Sequence, residues 1–386
     1  MNWSFIRFPE ELTLFCDQVS FEDPSFIAID CEFVRQNTYW PELGLIQIAT
    51  PSRTVAIDPI TNNLSLFPLK EILLNPKITK VLHSARQDVE IFYYLFACCP
   101  DPIFDTQIAA AFTGMGEGIS YEKLIFDLLT IKIDKKEQFT DWLSRPLSDS
   151  QLQYAVNDVI YLKEVYPLLL DKLEKLGRLN WVTDKCQDLF QPSIFDVKCE
   201  EAGKKIKTNF KSWQQFSVLW DLAIWREEQA LSKNIRRNLL AENNLLIHLS
   251  TSSVRDEISL KESLNSFKQT ITENLLFESF YNSYKKALRF LDSSSSLVDY
   301  RQKEIMKHLK ESSSFILSCS QKQNIKNIQN EIKKIAANLN ISPFLLANRQ
   351  EIESFVRFPD HAHSLFKKWR GEVLGCYLTT FLKTND

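Results

Sequence analysis

Residues 26–34, FIAIDCEFV, decide how the rest of the chain is interpreted. Their branched and aromatic side chains favour a buried strand. Side chains two positions apart on a strand point to the same face of the sheet, so Asp30 and Glu32 are expected to lie side by side. Two carboxylates in an apolar strand repel each other unless a proton or a cation offsets their charge. Taken alone, such a pair is weak evidence of a functional site.

Strand and helix patterns after this stretch predict a mixed α/β domain. Residues 26–34 and two further strands form an antiparallel meander, and a helical crossover then places a fourth strand parallel to a neighbour. A long helix follows, with Ser148 as its N-cap and Gly177 at its end. The additional predicted elements are strands at 43–50, 54–59 and 78–84 and helices at 69–75, 86–97 and 148–177.

Three more residues complete a candidate site. Asp88 lies in the first turn of the predicted helix at 86–97, where an acid is commonly only a favourable partner of the helix dipole. Tyr154 and Asp158 are four residues apart on the long helix and therefore share one face. Carboxylates from a strand, a helix start and a later helix can converge on one edge of a sheet. Together they offer the oxygen ligands that two Mg²⁺ or Mn²⁺ ions require.

The motifs that contain these residues resemble those of a known superfamily. IAIDCEFV, HSARQDVE and YAVNDVIYL match, in order and spacing, the motifs of the DEDDy exonuclease superfamily and, within it, the ribonuclease D family. TYWPELGLIQIA, FDTQIAAAF and DWLSRPL extend the likeness over residues 20–180. The resemblance implies an RNase H-like mixed sheet flanked by helices. It also implies that Asp30, Glu32, Asp88 and Asp158 hold two divalent cations, and that Tyr154 is the tyrosine of the DEDDy name.

Side chains near the motifs allow further predictions about the site. With an ordinary pKa of about 10, Tyr154 is mostly protonated at neutral pH, so it should orient the attacking water rather than accept its proton. His83 and Phe33 are candidate substrate contacts, although a structural hydrogen bond is favoured for His83. Strand alternation turns the Phe33 side chain away from the acid pair. The backbone of Phe33 is therefore the candidate contact with the terminal nucleotide of the substrate. Cys31, between the two acids, should also face the opposite side of the sheet.

The C-terminal half of the sequence is predicted to be all-helical, because it lacks strand alternation. Its two modules are similar to HRDC domains, small helical nucleic-acid-binding modules, and a break is expected at the serine run Ser293–Ser296. In the first module, cations are interspersed on other helix faces than the aromatic and aliphatic residues, and the aromatic residues are most simply core. These cations are Arg226, Lys233, Arg236 and Arg237. The predicted division is an exonuclease domain at 1–190, a linker at 191–210, a first HRDC domain at 211–295 and a second HRDC-like domain at 296–386.

Charge is distributed unevenly along the 386 residues. Residues 1–200 carry 18 Lys and Arg against 29 Asp and Glu, and residues 201–386 carry 28 against 20. Basic segments gain affinity for nucleic acids by displacing counterions from phosphates, although two solvated surfaces explain the asymmetry equally well. On the first interpretation, the basic modules hold RNA for an acidic catalytic domain.

Other sequence features limit the class of protein. No apolar run approaches the roughly 18 to 20 residues needed to cross a bilayer, so no membrane contact is expected. The eight cysteines form no CxxC pairs, and the N-terminus lacks a charged-then-apolar leader, which favours a cytoplasmic protein with reduced thiols. No GxxxxGK[ST] loop is present, so nucleoside triphosphates are not expected as ligands. A monomer is expected.

The resemblance implies that the chain removes nucleoside 5′-monophosphates from RNA 3′ ends, with tRNA precursors and other structured RNAs as substrates. A DNA-directed 3′→5′ exonuclease is the first alternative, since the same acids serve both nucleic acids and the partners of the 2′-hydroxyl cannot be assigned from sequence. A non-catalytic nucleic-acid-binding protein is the second, and the intact set of acids argues against it.

Overall fold

A six-stranded mixed sheet forms the N-terminal part of the protein, in the order β1-β4-β3-β2-β5-β6. The structure is a computed structural model, which describes residues 3–210, 212–252, 254, 256–266, 274–291, 296–312 and 317–385. The strands are β1 (Ser4–Ile6), β2 (Phe26–Val34), β3 (Glu42–Ala49), β4 (Thr54–Ile57), β5 (Thr79–Leu82) and β6 (Ile103–Asp105). The predicted mixed α/β fold class is confirmed.

Helices flank this sheet and make up the rest of the described chain. None of the helices in the described residues is long and apolar enough to cross a membrane. The α-helices are α1 (Pro9–Glu22), α2 (Leu69–Leu74), α3 (Arg86–Phe96), α4 (Thr106–Phe112), α5 (Tyr121–Leu129), α6 (Asp149–Lys175), α7 (Leu179–Phe190), α8 (Pro192–Phe195), α9 (Trp213–Ser232), α10 (Arg237–Leu240), α11 (Asn243–Thr251), α12 (Glu257–Ser266), α13 (Asn274–Leu291), α14 (Ser296–Ser312), α15 (Cys319–Asn338), α16 (Pro343–Leu346), α17 (Arg349–Arg357) and α18 (Lys368–Asn385). Short 3₁₀ helices lie at Thr61–Asn63, Cys199–Lys205 and Ser364–Phe366.

Strand β2, which contains the acid pair, lies in the interior of the sheet. It pairs antiparallel with β3 and parallel with β5, and β3 pairs antiparallel with β4. The predicted meander and crossover are therefore confirmed. The outer strands β1 and β6 pair parallel with β4 and β5 and were not predicted. Each has only three residues, too few for side-chain alternation to be recognised in the sequence.

Helix α6 lies across β2, β3 and β4 and brings its residues to the sheet. The Ser148 hydroxyl accepts a hydrogen bond from the Gln151 backbone N–H at 3.2 Å, so the predicted N-cap is confirmed. Buried apolar residues recur every three or four positions along the helix, among them Leu152, Val156 and Val159. This buried stripe fixes the rotation of the helix about its axis and therefore the direction of its polar side chains.

The chain folds into two compact units. The first contains residues 1–34, 41–195 and 317–386, and the second contains residues 35–40 and 196–316. Segments that are far apart in the sequence thus share a unit. A division of the chain into consecutive segments does not represent these units. The domain boundaries at 190, 210 and 295 stay predictions. The predicted break at the serine run lies outside the described residues, apart from Ser296 at the start of α14.

In the first unit, the C-terminal helices share a core with the sheet domain. The Trp369 ring stacks on Trp181 and meets Phe112 edge-on, with centroids 5.0 Å apart in both cases. Arg178 donates hydrogen bonds of 2.8 Å to the carbonyl oxygens of Phe112 and Leu339. Residues 317–385 are therefore bound to the sheet domain by buried apolar surface, which contributes roughly 25 cal/mol for each Å² removed from water.

In the second unit, α9 is the central helix, and its aromatic residues are core, as predicted. Trp225 packs edge-on against Phe280 with centroids 4.7 Å apart. Arg226 was expected on a helix face other than the apolar one, but it is buried and donates hydrogen bonds of 2.8 Å to the Ala241 carbonyl and the Asn243 side chain. Its guanidinium connects α9 to the start of α11.

Candidate active site

Three of the predicted carboxylates converge beside the central strand. Oxygen atoms of Asp30 and Glu32 on β2 and of Asp158 on α6 lie within 4.8 Å of one another. The strand contributes two acids to one face, and the fixed rotation of α6 turns the third toward them. Such spacing allows a single divalent cation to contact all three carboxylates.

The fourth carboxylate, Asp88, lines the same cavity but does not belong to this group of three. It is the third residue of α3, it is buried, and the Cys31 thiol donates a hydrogen bond to it. Its negative charge also raises the pKa of Glu32. All four predicted acids therefore interact electrostatically, although only three have oxygens within 4.8 Å of one another.

The start of α3, and with it Asp88, is held by Asp105 at the end of β6. The buried Asp105 carboxylate accepts hydrogen bonds from the backbone N–H groups of Ser84 at 3.1 Å and Ala85 at 2.9 Å. It also caps α4 by accepting from Gln107 at 2.8 Å. Sequence reasoning missed this residue, although the FDTQIAAAF motif contains it and an Asp before a helix is a typical N-cap.

Burial and mutual repulsion raise the pKa of every acid in the cluster. Burial raises the pKa of Asp30 to about 7. For Glu32, Asp88 and Asp158, burial first and the charge of Asp30 second raise the pKa well above the ordinary carboxyl range. Four neighbouring acids, of which Asp88 and Asp158 are buried and Asp30 and Glu32 half-buried, can all be ionised at neutral pH only when positive charge is added to the site.

Two tyrosines contact Asp158. The Tyr154 hydroxyl donates a hydrogen bond to the Asp158 carboxylate, and the Tyr121 hydroxyl donates to the Asp158 backbone carbonyl. Burial, followed by the charge of Asp158, raises the pKa of Tyr154 far above its ordinary value. Tyr154 therefore remains protonated at neutral pH and acts as a hydrogen-bond donor. Tyr121 was not predicted, because a single tyrosine at a helix start has no distinctive spacing.

His83 has the surroundings of a structural residue. Its Nδ1 lies 3.0 Å from the Thr106 hydroxyl, and its ring packs against Tyr121 with centroids 5.3 Å apart. Burial lowers the pKa of His83 to about 4, so the ring is neutral at pH 7 and offers no positive charge to a phosphate. These contacts agree with the structural hydrogen bond favoured for His83, and its contact with substrate stays a prediction.

The pairing register changes directly after Glu32. Between Glu32 and Phe33, the pairing of β2 with β3 shifts by a bulge, so regular alternation does not continue to Phe33. Phe33 is half-buried and lines the same cavity as the acids. The expectation that Phe33 faces away from the acid pair assumed an uninterrupted strand. Its contact with the terminal nucleotide stays a prediction.

An open cavity of about 450 Å³ surrounds these side chains. Residues that sequence reasoning did not assign to the site include Gln87, Gln138 and Phe139, and the Phe139 side chain is 91% exposed. The lining residues are Asp30, Cys31, Glu32, Phe33, His83, Ser84, Gln87, Asp88, Tyr121, Gln138, Phe139, Tyr154, Asp158 and Leu162. The cavity is therefore acidic at its base and has aromatic side chains in its walls.

The DWLSRPL segment fixes the approach to α6. Arg145 binds the buried Asp58 carboxylate through two nitrogens, at 2.9 and 2.8 Å, and donates to the Gly44 carbonyl at 2.6 Å. A Cβ atom at Gly44 would lie 2.6 Å from the Trp142 carbonyl oxygen, so only glycine allows this close approach. Trp142 in turn packs against Tyr154, with ring centroids 6.2 Å apart. The segment thereby positions the N-terminal part of α6.

Comparison with known proteins identifies the family. A protein-family model described as 3′-5′ exonuclease matches residues 5–174. Ribonuclease D of Bartonella henselae is 35% identical over 371 residues, which cover 93% of this chain and 85% of that protein. The chain belongs to the ribonuclease D family. Ribonuclease D of Gluconacetobacter diazotrophicus is 39% identical over 231 residues, covering 60% of this chain and 59% of that protein.

A solved structure is similar over the whole chain. The crystal structure of Escherichia coli RNase D, described as an exoribonuclease involved in structured RNA processing, has a TM-score of 0.77 and 27% identity, and covers 100% of this chain and 99% of that chain. As a member of the ribonuclease D family, the protein is a 3′→5′ exoribonuclease. The predicted family, fold class and enzyme class are confirmed, and the roles of the individual site residues stay predictions.

Proposed function

We propose that the protein trims the 3′ extensions of structured RNAs, such as tRNA precursors, and releases nucleoside 5′-monophosphates. The observation that carries the proposal is the convergence of Asp30, Glu32 and Asp158 within 4.8 Å, in a cavity open enough to admit a nucleotide. Membership of the ribonuclease D family supports the RNA substrate, and the description of the Escherichia coli relative supports structured RNA.

The chemistry of the donors fits two divalent cations, Mg²⁺ or Mn²⁺. Carboxylate oxygens are the ligands that these hard cations prefer, and the raised pKa values of the acids support the binding of cations in place of protons. Asp30, Glu32 and Asp158 would hold one ion, and Asp88 with Asp30 the other. When bound, the ions stabilise the attacking and leaving oxygens of an in-line displacement at phosphorus.

The neighbouring side chains orient the reactants in this proposal. The Tyr154 hydroxyl remains protonated and donates its one proton to the Asp158 carboxylate, so its oxygen would orient the attacking water by accepting a hydrogen bond from it. Tyr121 holds the backbone of α6 at Asp158, and Asp105 holds the first turn of α3 at Asp88. Asp158 and Asp88 thus each have neighbours that limit their motion.

The helical parts of the chain would supply affinity for long RNA. The segments 211–295 and 296–386 are proposed as HRDC-type modules, and the net positive charge of the C-terminal half supports contact with phosphates. Phosphate contacts of this kind set affinity and register without reading the base sequence. We further propose that the protein acts as a monomer in the cytoplasm and needs no nucleoside triphosphate.

Digestion of a 3′-extended tRNA transcript tests the proposal. With Mg²⁺ or Mn²⁺, products should shorten one nucleotide at a time, and a chelator should stop the reaction. A DNA strand that matches the 3′ extension distinguishes ribonuclease from deoxyribonuclease activity. Equal trimming of RNA and DNA would favour the DNA-directed alternative, and binding of the transcript without any shortening would favour a non-catalytic protein.

A further inference from the structure

A polar groove lies in the second unit, between the segment that follows β2 and the start of α10. Its volume is about 350 Å³, and its walls are formed by Arg35, Thr38, Tyr39, Arg236, Arg237 and Asn238. Three of these six residues are arginines, and Tyr39 is the only aromatic residue among them. This lining differs from the acidic, partly aromatic cavity around Asp158.

The buried Glu227 carboxylate holds one of the lining arginines, Arg237, whose side chain is partly exposed. Arg237 binds the Glu227 carboxylate through two nitrogens, at 2.5 and 2.6 Å, and its guanidinium lies 4.4 Å from the centroid of the Tyr39 ring. The Tyr39 hydroxyl donates a hydrogen bond of 2.5 Å to the same carboxylate. Burial by itself raises the pKa of Glu227, but the hydrogen bonds from Arg237 and Tyr39 outweigh it and hold that pKa below its usual range. Glu227 therefore stays ionised and fixes Arg237 in place.

Hydrogen bonds that involve the backbone connect the two walls of the groove, which are the segment after β2 and the start of α10. The Arg236 N–H donates to the Asn37 carbonyl at 2.8 Å, and the Trp40 N–H donates to the Asn234 side chain at 3.0 Å. Arg35 donates to the Tyr39 carbonyl at 3.0 Å, which keeps its guanidinium beside the groove. These hydrogen bonds therefore hold the two segments that carry Arg35 and Arg236 in a fixed arrangement.

We propose that this groove binds the phosphodiester backbone of the RNA substrate, through Arg35 and Arg236 with Thr38 and Asn238 as hydrogen-bonding partners. The planar guanidinium has donors arranged to bind two phosphate oxygens at once. The lining is mainly polar, and its one aromatic ring, Tyr39, is buried and covered by Arg237, so no ring is left for a base to stack on and the groove recognises the backbone and not the sequence. The proposal rests on the proposed function, because it assigns a second contact to the same RNA.

Salt-dependent RNA binding tests the site. The full chain carrying Asp158→Asn, which prevents hydrolysis, is compared with the same chain carrying Arg35→Ala and Arg236→Ala. Binding of a fluorescent single-stranded RNA of about 20 nucleotides is measured by anisotropy from about 50 to about 300 mM KCl with Mg²⁺. Both arginines are exposed, so their removal leaves the Glu227–Arg237 ion pair intact.

The matched control carries Lys286→Ala and Lys303→Ala, which remove the same charge from exposed positions outside the groove. Removal of one phosphate-binding side chain should reduce the slope of log affinity against log salt by about 0.7. The groove variant should therefore show a slope smaller by about 1.4 and an affinity roughly tenfold weaker at about 100 mM KCl, and the control should change by less than about twofold.

Other outcomes overturn the proposal. If the slope of log affinity against log salt is unchanged in the groove variant, the groove makes no contact with phosphates. If the control shows an equal decrease in that slope, only general charge matters. A defect confined to binding of 5′-AMP would assign the groove to a free nucleotide, and a defect confined to polyglutamate would assign it to an acidic protein. Turnover is measured separately on the wild-type chain, so a failure of the proposed hydrolysis leaves the comparison of salt slopes valid.

Discussion

The Cys31 thiol donates a hydrogen bond to the carboxylate of Asp88. Cys31 lies between Asp30 and Glu32 on β2 and lines the same cavity as all four acids. Asp88 therefore contacts the strand at Cys31, whereas the oxygens that lie within 4.8 Å of one another belong to Asp30, Glu32 and Asp158. This arrangement divides the four acids into a close group of three and a separate fourth.

Asp88→Asn should remove one of the two proposed cation sites and leave the other. The group of three acids remains intact in this variant, so titration with Mn²⁺ should give one equivalent where the wild type gives two. Turnover should fall at least about 100-fold, since even outer partners of metal ligands change activity by about 10- to 100-fold. Asp149→Asn is the matched control, because Asp149 is exposed in the first turn of α6. Retention of both ions by Asp88→Asn would contradict the division of the four acids into a group of three and a separate Asp88.

Tyr154→Phe should slow hydrolysis without weakening cation binding. The substitution removes the hydroxyl that donates to Asp158 and keeps the ring that packs on Trp142. A decrease of roughly 10- to 100-fold in kcat is expected, with an Mn²⁺ affinity within about twofold of wild type. Kinetics and Mn²⁺ titration on the same preparation provide the two readouts. A parallel loss of cation affinity would mean that the hydroxyl acts mainly by holding the ligand.

Without divalent cations, Asp30 should destabilise the fold increasingly as pH rises. Its pKa in the folded protein, about 7, is above the ordinary 3.8, so its contribution to stability is complete at low pH and is lost as pH rises through 7. Relative to wild type, Asp30→Asn should therefore gain free energy of unfolding between about pH 4 and about pH 7, by up to about 4 kcal/mol, and little more above pH 7. Urea unfolding in chelator measures this difference. Saturating Mn²⁺ should abolish the gain, and a difference independent of pH would contradict the raised pKa.

Arg145→Ala should destabilise the first unit by about 3 to 5 kcal/mol, because it leaves the buried Asp58 carboxylate without its cation. The comparison is with Lys136→Ala, which breaks the exposed ion pair with Asp134 and should leave the free energy of unfolding almost unchanged, because solvent screens this pair. Thermal and urea unfolding measure both variants. Equal and small losses in the two variants would show that the Asp58–Arg145 pair does not hold the approach to α6.

The central strands and the acid pair could be predicted because their signals are local. Alternation of apolar residues identifies β2, β3 and β5, and the spacing of Asp30 and Glu32 fixes their common face. The bulge after Glu32 escaped prediction, since it depends on pairing with β3 rather than on the residues of β2 alone.

The sequence by itself determined the family, the mixed α/β class and the identity of the four acids, because these depend on residue types at fixed short spacings. Only the tertiary structure decided that Asp105 supports Asp88, that Arg145 reaches Asp58, and that residues 317–385 share a core with the sheet domain. These relationships join residues that are distant along the chain, and their energy comes from burial and charge pairing. Side-chain periodicity reports only which face of an element is apolar, so it does not specify which distant residue covers that face.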